Sequence, residues 1–183
     1  MSVNLKFIFI LTGIAAAGLA APPLGADVIL SEGAALARAF PGLAPEKRTL
    51  YLTEAQITAI EKAARSKMPS AVVTTFAARS ADGDAGRAIL DTQVVRTMPE
   101  TVMTVVAPDG RLRLALVLQF GEPPDYLPRE GWLKTLEGKD LDDDLWPSRG
   151  VRRVTGATLT VQALTEAVRR SLAIDALVLR GKP

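Results

Sequence analysis

Residues 86–119 read "GRAILDTQVVRTMPETVMTVVAPDGRLRLALVLQ" and contain three runs rich in β-branched and other apolar residues. A similar run, "AVVTTFAAR", precedes them at 71–79. The runs are separated by "SADGDAG", by "RTMP" and by Pro108-Asp109-Gly110, and the last of these is a strong hairpin signal. We therefore predict an antiparallel sheet of four or more strands between Ala71 and Gln119.

The last run also indicates how its strand is oriented. Arg111 and Arg113 alternate with leucines at the start of "RLRLALVLQ". Such alternation predicts one solvent-facing side and one buried side at the start of the strand.

Helical patterns flank the predicted strands. Thr53 and Gln56 form a capping box before an apolar stripe that Met68-Pro69 ends, and a shorter helical stretch covers residues 33–40. A third helix is predicted to begin at about Thr160. Its apolar stripe consists of Val161, Leu164, Ala167, Val168, Leu172 and Ala173. The predicted fold class is therefore α+β, with helices flanking an antiparallel sheet.

The first 26 residues have the features of a targeting segment. A weak n-region containing Lys6 is followed by fifteen uncharged residues, by Pro22-Pro23 and by Ala26, a small residue suited to signal peptidase. The apolar run is short for a bilayer span. We predict a signal peptide cleaved after Ala26 or an uncleaved N-terminal anchor, and a periplasmic or extracytoplasmic location. Residues 27–183 are then a single domain, because no repeat or linker interrupts them.

Composition excludes several kinds of chemistry. Basic and acidic residues nearly balance, 22 against 20, and they are interleaved, so the chain lacks the basic stripe of a nucleic-acid binder. It contains neither Cys nor His, which excludes thiolate chemistry, histidine bases and the usual zinc and haem sites. Its chemistry must come from carboxylates, hydroxyls or an organic cofactor.

Residues 120–150 predict an irregular binding loop, since they hold four prolines and four glycines. Tyr126, Trp132 and Trp146 either stack on a planar ligand or fill the core beneath the loop. The run Asp142-Asp143-Asp144 is interpreted as a solvated helix start rather than a metal site. No catalytic or metal-binding residue is assigned.

The stretch "TGATLT", residues 155–160, stands at the mouth of the last predicted helix. One hydroxyl would be enough to cap that helix. A helix N-terminus also carries free amides and a partial positive charge, which together favour a phosphate. The extra hydroxyls are therefore either ordinary capping residues or part of a phosphate site, in which an ester on a threonine oxygen would be held by the helix start.

These residues resemble a known family. "TGATLT" is similar to the flavinylation motif of the FMN-binding domain found in the Rnf complex and the Na+-translocating NADH:quinone reductase. In that family a flavin transferase esterifies FMN, through its phosphate, to the final threonine. Glu122-Pro123-Pro124 and the stretch from Trp132 to Lys139 also resemble family segments, so the likeness covers roughly residues 86–173. Where the family usually has Asp before the motif, this chain has Arg152.

The resemblance implies an electron-transfer flavoprotein outside the cytoplasm, with covalent FMN as its cofactor and Thr160 as the attachment residue. The partners it implies are a flavin transferase and membrane redox proteins. Arg149, Arg152 and Arg153 either neutralise the phosphate or form a solvated basic run. The remaining predicted cofactor contacts are Thr155, Gly156, Ala157, Thr158 and Leu159. Glu122 is either a contact of the flavin or ribityl chain or an exposed loop carboxylate.

Two other classes of function stay open. A flavin-dependent envelope reductase would reduce small acceptors without a protein partner. A non-redox binding module would keep the fold without the cofactor.

Overall fold

A six-stranded antiparallel sheet in the order β1-β6-β5-β4-β3-β2 forms the centre of the protein. A computed structural model describes residues 27–142, 144–147, 149–152 and 154–180; the predicted targeting segment, residues 1–26, lies outside them. The strands are β1 Asp27–Val28, β2 Glu46–Tyr51, β3 Val72–Ser80, β4 Gly83–Val95, β5 Met98–Val106 and β6 Leu112–Phe120. The α-helices are α1 Glu32–Ala39, α2 Glu54–Ala64, α3 Glu130–Lys134 and α4 Thr158–Ile174. A short 3-10 helix covers Pro124–Tyr126, and a π-helical turn covers Asp175–Leu179.

The predicted fold class is confirmed, because helices flank an antiparallel sheet that contains all four predicted strands. Sequence reasoning missed β1 and β2. Strand β1 has two residues, and β2, "EKRTLY", is a charged, mostly exposed edge strand that pairs with β3. Charged residues are common on edge strands because they discourage pairing with other chains. Such a strand lacks the apolar alternation by which strands are recognised.

Both faces of the sheet are covered. Helices α2 and α4 lie over one face, where Ile60, Ile89 and Leu164 belong to the larger apolar core. Helix α1 lies over the other face, where Phe40 and Met103 belong to a smaller core.

The capping box of α2 is present as predicted. Gln56 N donates to the Thr53 hydroxyl oxygen at 3.2 Å, and Thr53 N donates to Gln56 Oε1 at 2.9 Å. These two bonds satisfy backbone donors that the first turn of the helix leaves free.

The start of strand β6 does not have the predicted solvent-facing side. Arg111 is exposed, but Arg113 is half-buried against α1. It donates to the carbonyls of Ala39 and Ala85 at 2.8 and 2.9 Å, and its guanidinium lies 4.7 Å from the Phe40 ring. Burial lowers the pKa of Arg113. The alternation could not predict this burial because it depends on where α1 packs.

Helix α4 is the most deeply buried helix among the described residues, and its predicted apolar stripe is buried throughout. Two arginines of α4 are buried as well. Arg170 donates from Nε and Nη2 to the two carboxylate oxygens of Asp91 at 2.8 and 2.7 Å. Arg169 donates from Nε to the Ala64 carbonyl at 2.8 Å and from Nη1 to the Leu145 carbonyl at 3.0 Å.

No helix in the described ranges is long and apolar enough to cross a membrane.

We predict that Asp91→Ala destabilises the protein far more than loss of an exposed ion pair. The substitution leaves the charge of Arg170 buried without its partner, which costs about 3–5 kcal/mol of unfolding free energy. Glu46→Ala is the matched control, because it removes the exposed pair with Arg48, whose loss should change the unfolding free energy far less. Urea denaturation measures both values, and equal costs would contradict a structural role for the buried pair.

Candidate functional site

The threonine-rich stretch forms a tight turn and the first turn of α4. Ala157 N donates to the Val154 carbonyl at 3.2 Å and closes the turn, and Gly156 has a φ of +85°. A side chain at this φ is strained, which accounts for glycine here. The helix begins at Thr158, two residues before the predicted start.

The N-cap of α4 corrects the capping hypothesis. Ala157 occupies the N-cap position and no described side chain caps the helix, so the alternative that a threonine caps it does not hold. Val161 N makes the first helical bond, to the Ala157 carbonyl at 2.9 Å. The amides of Thr158, Leu159 and Thr160 precede that bond and therefore have no intrahelical acceptor.

The residues of the stretch differ sharply in exposure. Thr155, Gly156 and Thr158 are exposed, and Leu159 is 50% exposed. Ala157 and Thr160 are each only 3% exposed. The predicted attachment residue is therefore buried, whereas Thr158 on the same turn is exposed to solvent.

Glu122 lies at the turn between β4 and β5. Its Oε1 accepts a hydrogen bond from Thr97 N at 3.2 Å. In the same turn Arg96 has a φ of +53°, and its guanidinium lies 4.5 Å from the Tyr126 ring. The carboxylate of Glu122 therefore holds this residue against the turn between β4 and β5.

The path of α4 across the sheet brings its N-terminus towards this turn. The Ala163 carbonyl accepts from Gln93, near the end of β4, at 2.8 Å, and Arg170 pairs with Asp91. Beyond the helix, Asp175 accepts from Arg87, near the start of β4, at 2.8 Å. Helix α4 therefore runs from the β4–β5 turn towards the opposite end of the sheet. Its first turn and Glu122 share one end, and this end is the candidate site.

The aromatic residues of the loop have mainly structural contacts. Trp132 is 6% exposed and belongs to the larger core, and its Nε1 donates to the Arg152 carbonyl at 2.6 Å. It thereby ties α3 to the segment that leads into "TGATLT". Trp146 is half-buried and lies over the guanidinium of Arg169 at 5.2 Å. The core-filling alternative holds for Trp132, while Trp146 and Tyr126 each contact an arginine.

The acidic run starts no helix in the part of it that is described. Asp142 Oδ1 accepts from Asp144 N and Leu145 N at 2.9 and 3.0 Å, which forms a local turn. Asp143 lies outside the described residues, and those residues contain no group of acidic side chains that could hold a metal ion. Arg149 and Arg152 are exposed, and Arg153 also lies outside the description.

A buried polar cluster beneath α4 was missed by sequence reasoning. Arg170 Nη2 also donates to Gln93 Oε1 at 2.7 Å, and Arg170 Nη1 donates to Ser66 Oγ at 2.7 Å. Glu100 is fully buried beside this cluster, with Oε2 3.5 Å from Gln93 Nε2, and its Oε1 has no partner among the described residues. Asp91 and Glu100 interrupt otherwise apolar strands, which was the available sequence signal.

The environment of Glu100 disfavours its charged form. The pKa of the Glu100 carboxyl is raised to about 8, chiefly by burial; the Asp91 carboxylate also raises this pKa, whereas Gln93 and Arg170 lower it. Arg170 is already neutralised by Asp91. Glu100 therefore keeps its proton at neutral pH.

No protein family, curated protein or solved structure was found to match this chain.

We predict that Glu100 makes the protein less stable as the pH rises. Its folded pKa of about 8 exceeds the unfolded value, so between about pH 4.5 and pH 8 the unfolded chain releases a proton that the folded protein retains. Stability is therefore lost with rising pH across this window, by up to about 1.4 kcal/mol per pH unit from this group. The measurement is the unfolding free energy of wild type minus that of Glu100→Gln at several pH values. A flat difference would contradict a raised pKa.

We also predict that Gly156→Ala destabilises the turn through backbone strain alone. A Cβ at Gly156 would meet no atom within 4 Å, so the expected cost of about 1–2 kcal/mol comes from the positive φ. Gly131 is the matched control, since it too has open space around a Cβ but lies in α3 without a positive φ. Gly131→Ala should leave stability unchanged or raise it slightly. Thermal unfolding compares the two variants, and an equal effect of both would contradict the strain at Gly156.

Proposed function

We propose that this protein is an extracytoplasmic electron-transfer flavoprotein that carries FMN esterified to Thr160. The main structural support is the uncapped first turn of α4, which lies at the same end of the sheet as Glu122. The sequence support is the resemblance of "TGATLT" to a flavinylation motif and the signal-like residues 1–26. The proposed partners are a flavin transferase and membrane redox proteins.

The first turn of α4 fits a phosphate ester chemically. Thr158, Leu159 and Thr160 offer backbone N–H groups that lie ahead of the first helical hydrogen bond. These amides and the positive end of the helix dipole favour an anion at this position. Ala157 supplies no side-chain oxygen to compete for them, so the described residues leave these donors available to phosphate oxygens.

Each remaining residue of the site has a role that follows from its position. Gly156 sets the direction of the chain into the helix, and the exposed Thr155 and Thr158 offer hydroxyls to a cofactor. Glu122 offers its second carboxylate oxygen, since Oε1 is used by Thr97. The flavin itself would supply the redox chemistry, because the chain has neither Cys nor His.

The burial of Thr160 sets a condition on the proposed modification. A hydroxyl in a residue that is 3% exposed must become accessible before an enzyme can esterify it. The first turn of a helix opens at low cost because its amides lack intrahelical bonds. We therefore expect flavinylation to accompany transient opening of this turn.

The test is to produce the protein with an active flavin transferase and to map its peptides by mass. We expect the added mass of FMN less one water on the peptide containing Thr160, and on no other residue. Thr160→Ala should fold and lose the covalent flavin, because it removes the ester oxygen. Thr158→Ala is the matched control on the same turn and should keep the flavin.

Three results would contradict the proposal. Covalent flavin on Thr158, or a Thr160→Ala protein that stays covalently yellow, would show that the acceptor is wrongly assigned. A colourless wild-type protein made with the transferase present would favour a non-redox binding module. Turnover of small acceptors by the isolated flavinylated protein would favour a flavin-dependent envelope reductase.

A further inference from the structure

The first half of α4, residues 158–164, is held to the sheet by fewer polar contacts than the second half. Among the described residues, one side-chain hydrogen bond joins this first half to the sheet, from Gln93 Nε2 on β4 to the Ala163 carbonyl at 2.8 Å. In the second half, Arg170 makes two bonds to the Asp91 carboxylate. The first half of α4 therefore depends on Gln93 for its polar attachment.

Glu100 lies directly beside this attachment point. Gln93 and Glu100 are paired across β4 and β5, and Glu100 Oε2 lies 3.5 Å from the same Gln93 Nε2 that donates to Ala163. Glu100 is fully buried, and its Oε1 has no hydrogen-bond partner among the described residues. A carboxyl group that is incompletely bonded is thus buried where the first half of α4 meets the sheet.

In the described part of the chain, two charged groups act on Glu100 from the elements packed against it. The Asp91 carboxylate does so from β4 and the Arg170 guanidinium from α4, whereas Phe120, the partner of Glu100 on β6, is uncharged. Arg170 is neutralised by Asp91, and Glu166 of α4 lies 3.8 Å from the same guanidinium. Neither neighbouring element therefore offers an unneutralised cation to a Glu100 carboxylate.

A charged Glu100 is compatible with an open first half of α4 and not with the closed arrangement of the structure. Burying a carboxylate without a cation or hydrogen-bond donors is strongly unfavourable, and Oε1 has neither when the helix is closed. Separation of residues 158–164 from the sheet admits water to this oxygen. It also uncovers Thr160, which is 3% exposed in the closed helix. The same opening thus hydrates Glu100 and exposes the proposed acceptor hydroxyl.

We propose that Glu100 is a proton-linked positioning residue. In its neutral form it keeps the first half of α4 closed over Thr160, and the loss of its proton opens this segment. The inference rests on the proposed function only for the use of the opening, which would give a flavin transferase access to Thr160. The opening itself belongs to the unmodified protein and needs no flavin.

Proton linkage gives the size of the effect. The pKa of Glu100 is about 8 in the closed protein, and its ordinary value, which applies once the carboxyl is hydrated, is 4.5. Opening therefore releases a proton between these two pH values, and each pH unit in this range favours the open form by up to about tenfold. From pH 6 to pH 8 we expect the open fraction to rise at least tenfold.

The first test is thiol labelling, because the chain has no Cys. Thr160→Cys places a single thiol at the buried position, and its reaction with an aromatic disulfide reagent reports the opening. The rate is measured at pH 6 and pH 8 with Glu100 present and in a Glu100→Gln background, which keeps a neutral side chain at both pH values. Dividing the two rates removes the ionisation of the thiol itself. This rate ratio should rise at least tenfold from pH 6 to pH 8.

Three control variants locate the effect. Thr158→Cys, exposed on the same turn, should react equally fast with and without Glu100. Ser171→Cys is fully buried in the second half of α4, so it should react at least tenfold more slowly than Thr160→Cys at pH 8. Glu166→Gln is the matched background, because it removes another acid near Arg170 and should leave the pH dependence at Thr160→Cys unaltered.

The second test is amide hydrogen exchange of the unsubstituted protein. The amides of residues 162–164 bond to carbonyls of residues 158–160. Their protection factors should fall at least tenfold from pH 6 to pH 8. The amides of residues 172–174 should remain at least tenfold better protected at both pH values, because the second half of α4 stays attached.

The proposal is overturned by a Thr160→Cys rate ratio that is equal at pH 6 and pH 8, or by protection factors at residues 162–164 that do not change with pH. Equal labelling rates at Thr160→Cys and Ser171→Cys would also overturn it, because the opening would then be global unfolding. A protein that opens with rising pH but never carries FMN would contradict the proposed function alone. A flavinylated protein without this pH-dependent opening would contradict the present inference alone.

Discussion

The buried pairing of Arg170 with Asp91 is the interaction on which the placement of α4 depends. Both side chains are nearly inaccessible to solvent, and their two hydrogen bonds join the helix to the middle of β4. A buried charge pair is stable only when its geometry leaves few donors unused. Gln93 and Ser66 accept two further hydrogen bonds from the same guanidinium. A shift of α4 along the sheet would break this set of bonds together.

The two halves of α4 are fixed by different contacts, and these give the helix its direction. Gln93 holds the N-terminal half through the Ala163 carbonyl, and Arg87 holds the residue after the helix, Asp175. The uncapped first turn consequently lies at the end of the sheet where Glu122 contacts Thr97. This arrangement explains how a residue of the irregular loop and a helix start, far apart in the sequence, come to lie at the same end of the sheet.

Buried polar groups beneath α4 also affect the free energy of packing this helix against the sheet. Glu100 is fully buried close to Asp91, and Arg170, the cation near both, is already neutralised by Asp91. A neutral carboxylic acid is cheaper to bury than a carboxylate. The cluster therefore makes the position of α4 specific and links its stability to proton binding.

Local patterns in the sequence determined the elements whose stability comes from near neighbours in the chain. The four central strands, the Pro108-Asp109-Gly110 hairpin, the Thr53 capping box and the apolar stripe of α4 are all of this kind, because each rests on spacing within a few residues.

Tertiary structure alone decided the features that depend on distant residues meeting. Strand β2 exists because β3 offers an edge, and Arg113 is half-buried because α1 covers it. Trp132 fills the core, Ala157 and not a threonine occupies the N-cap of α4, and Glu100 and Thr160 are buried because α4 packs against the sheet. The physical reason is the same throughout: burial and pairing are properties of the packed surfaces, and a one-dimensional pattern does not specify which surfaces pack together.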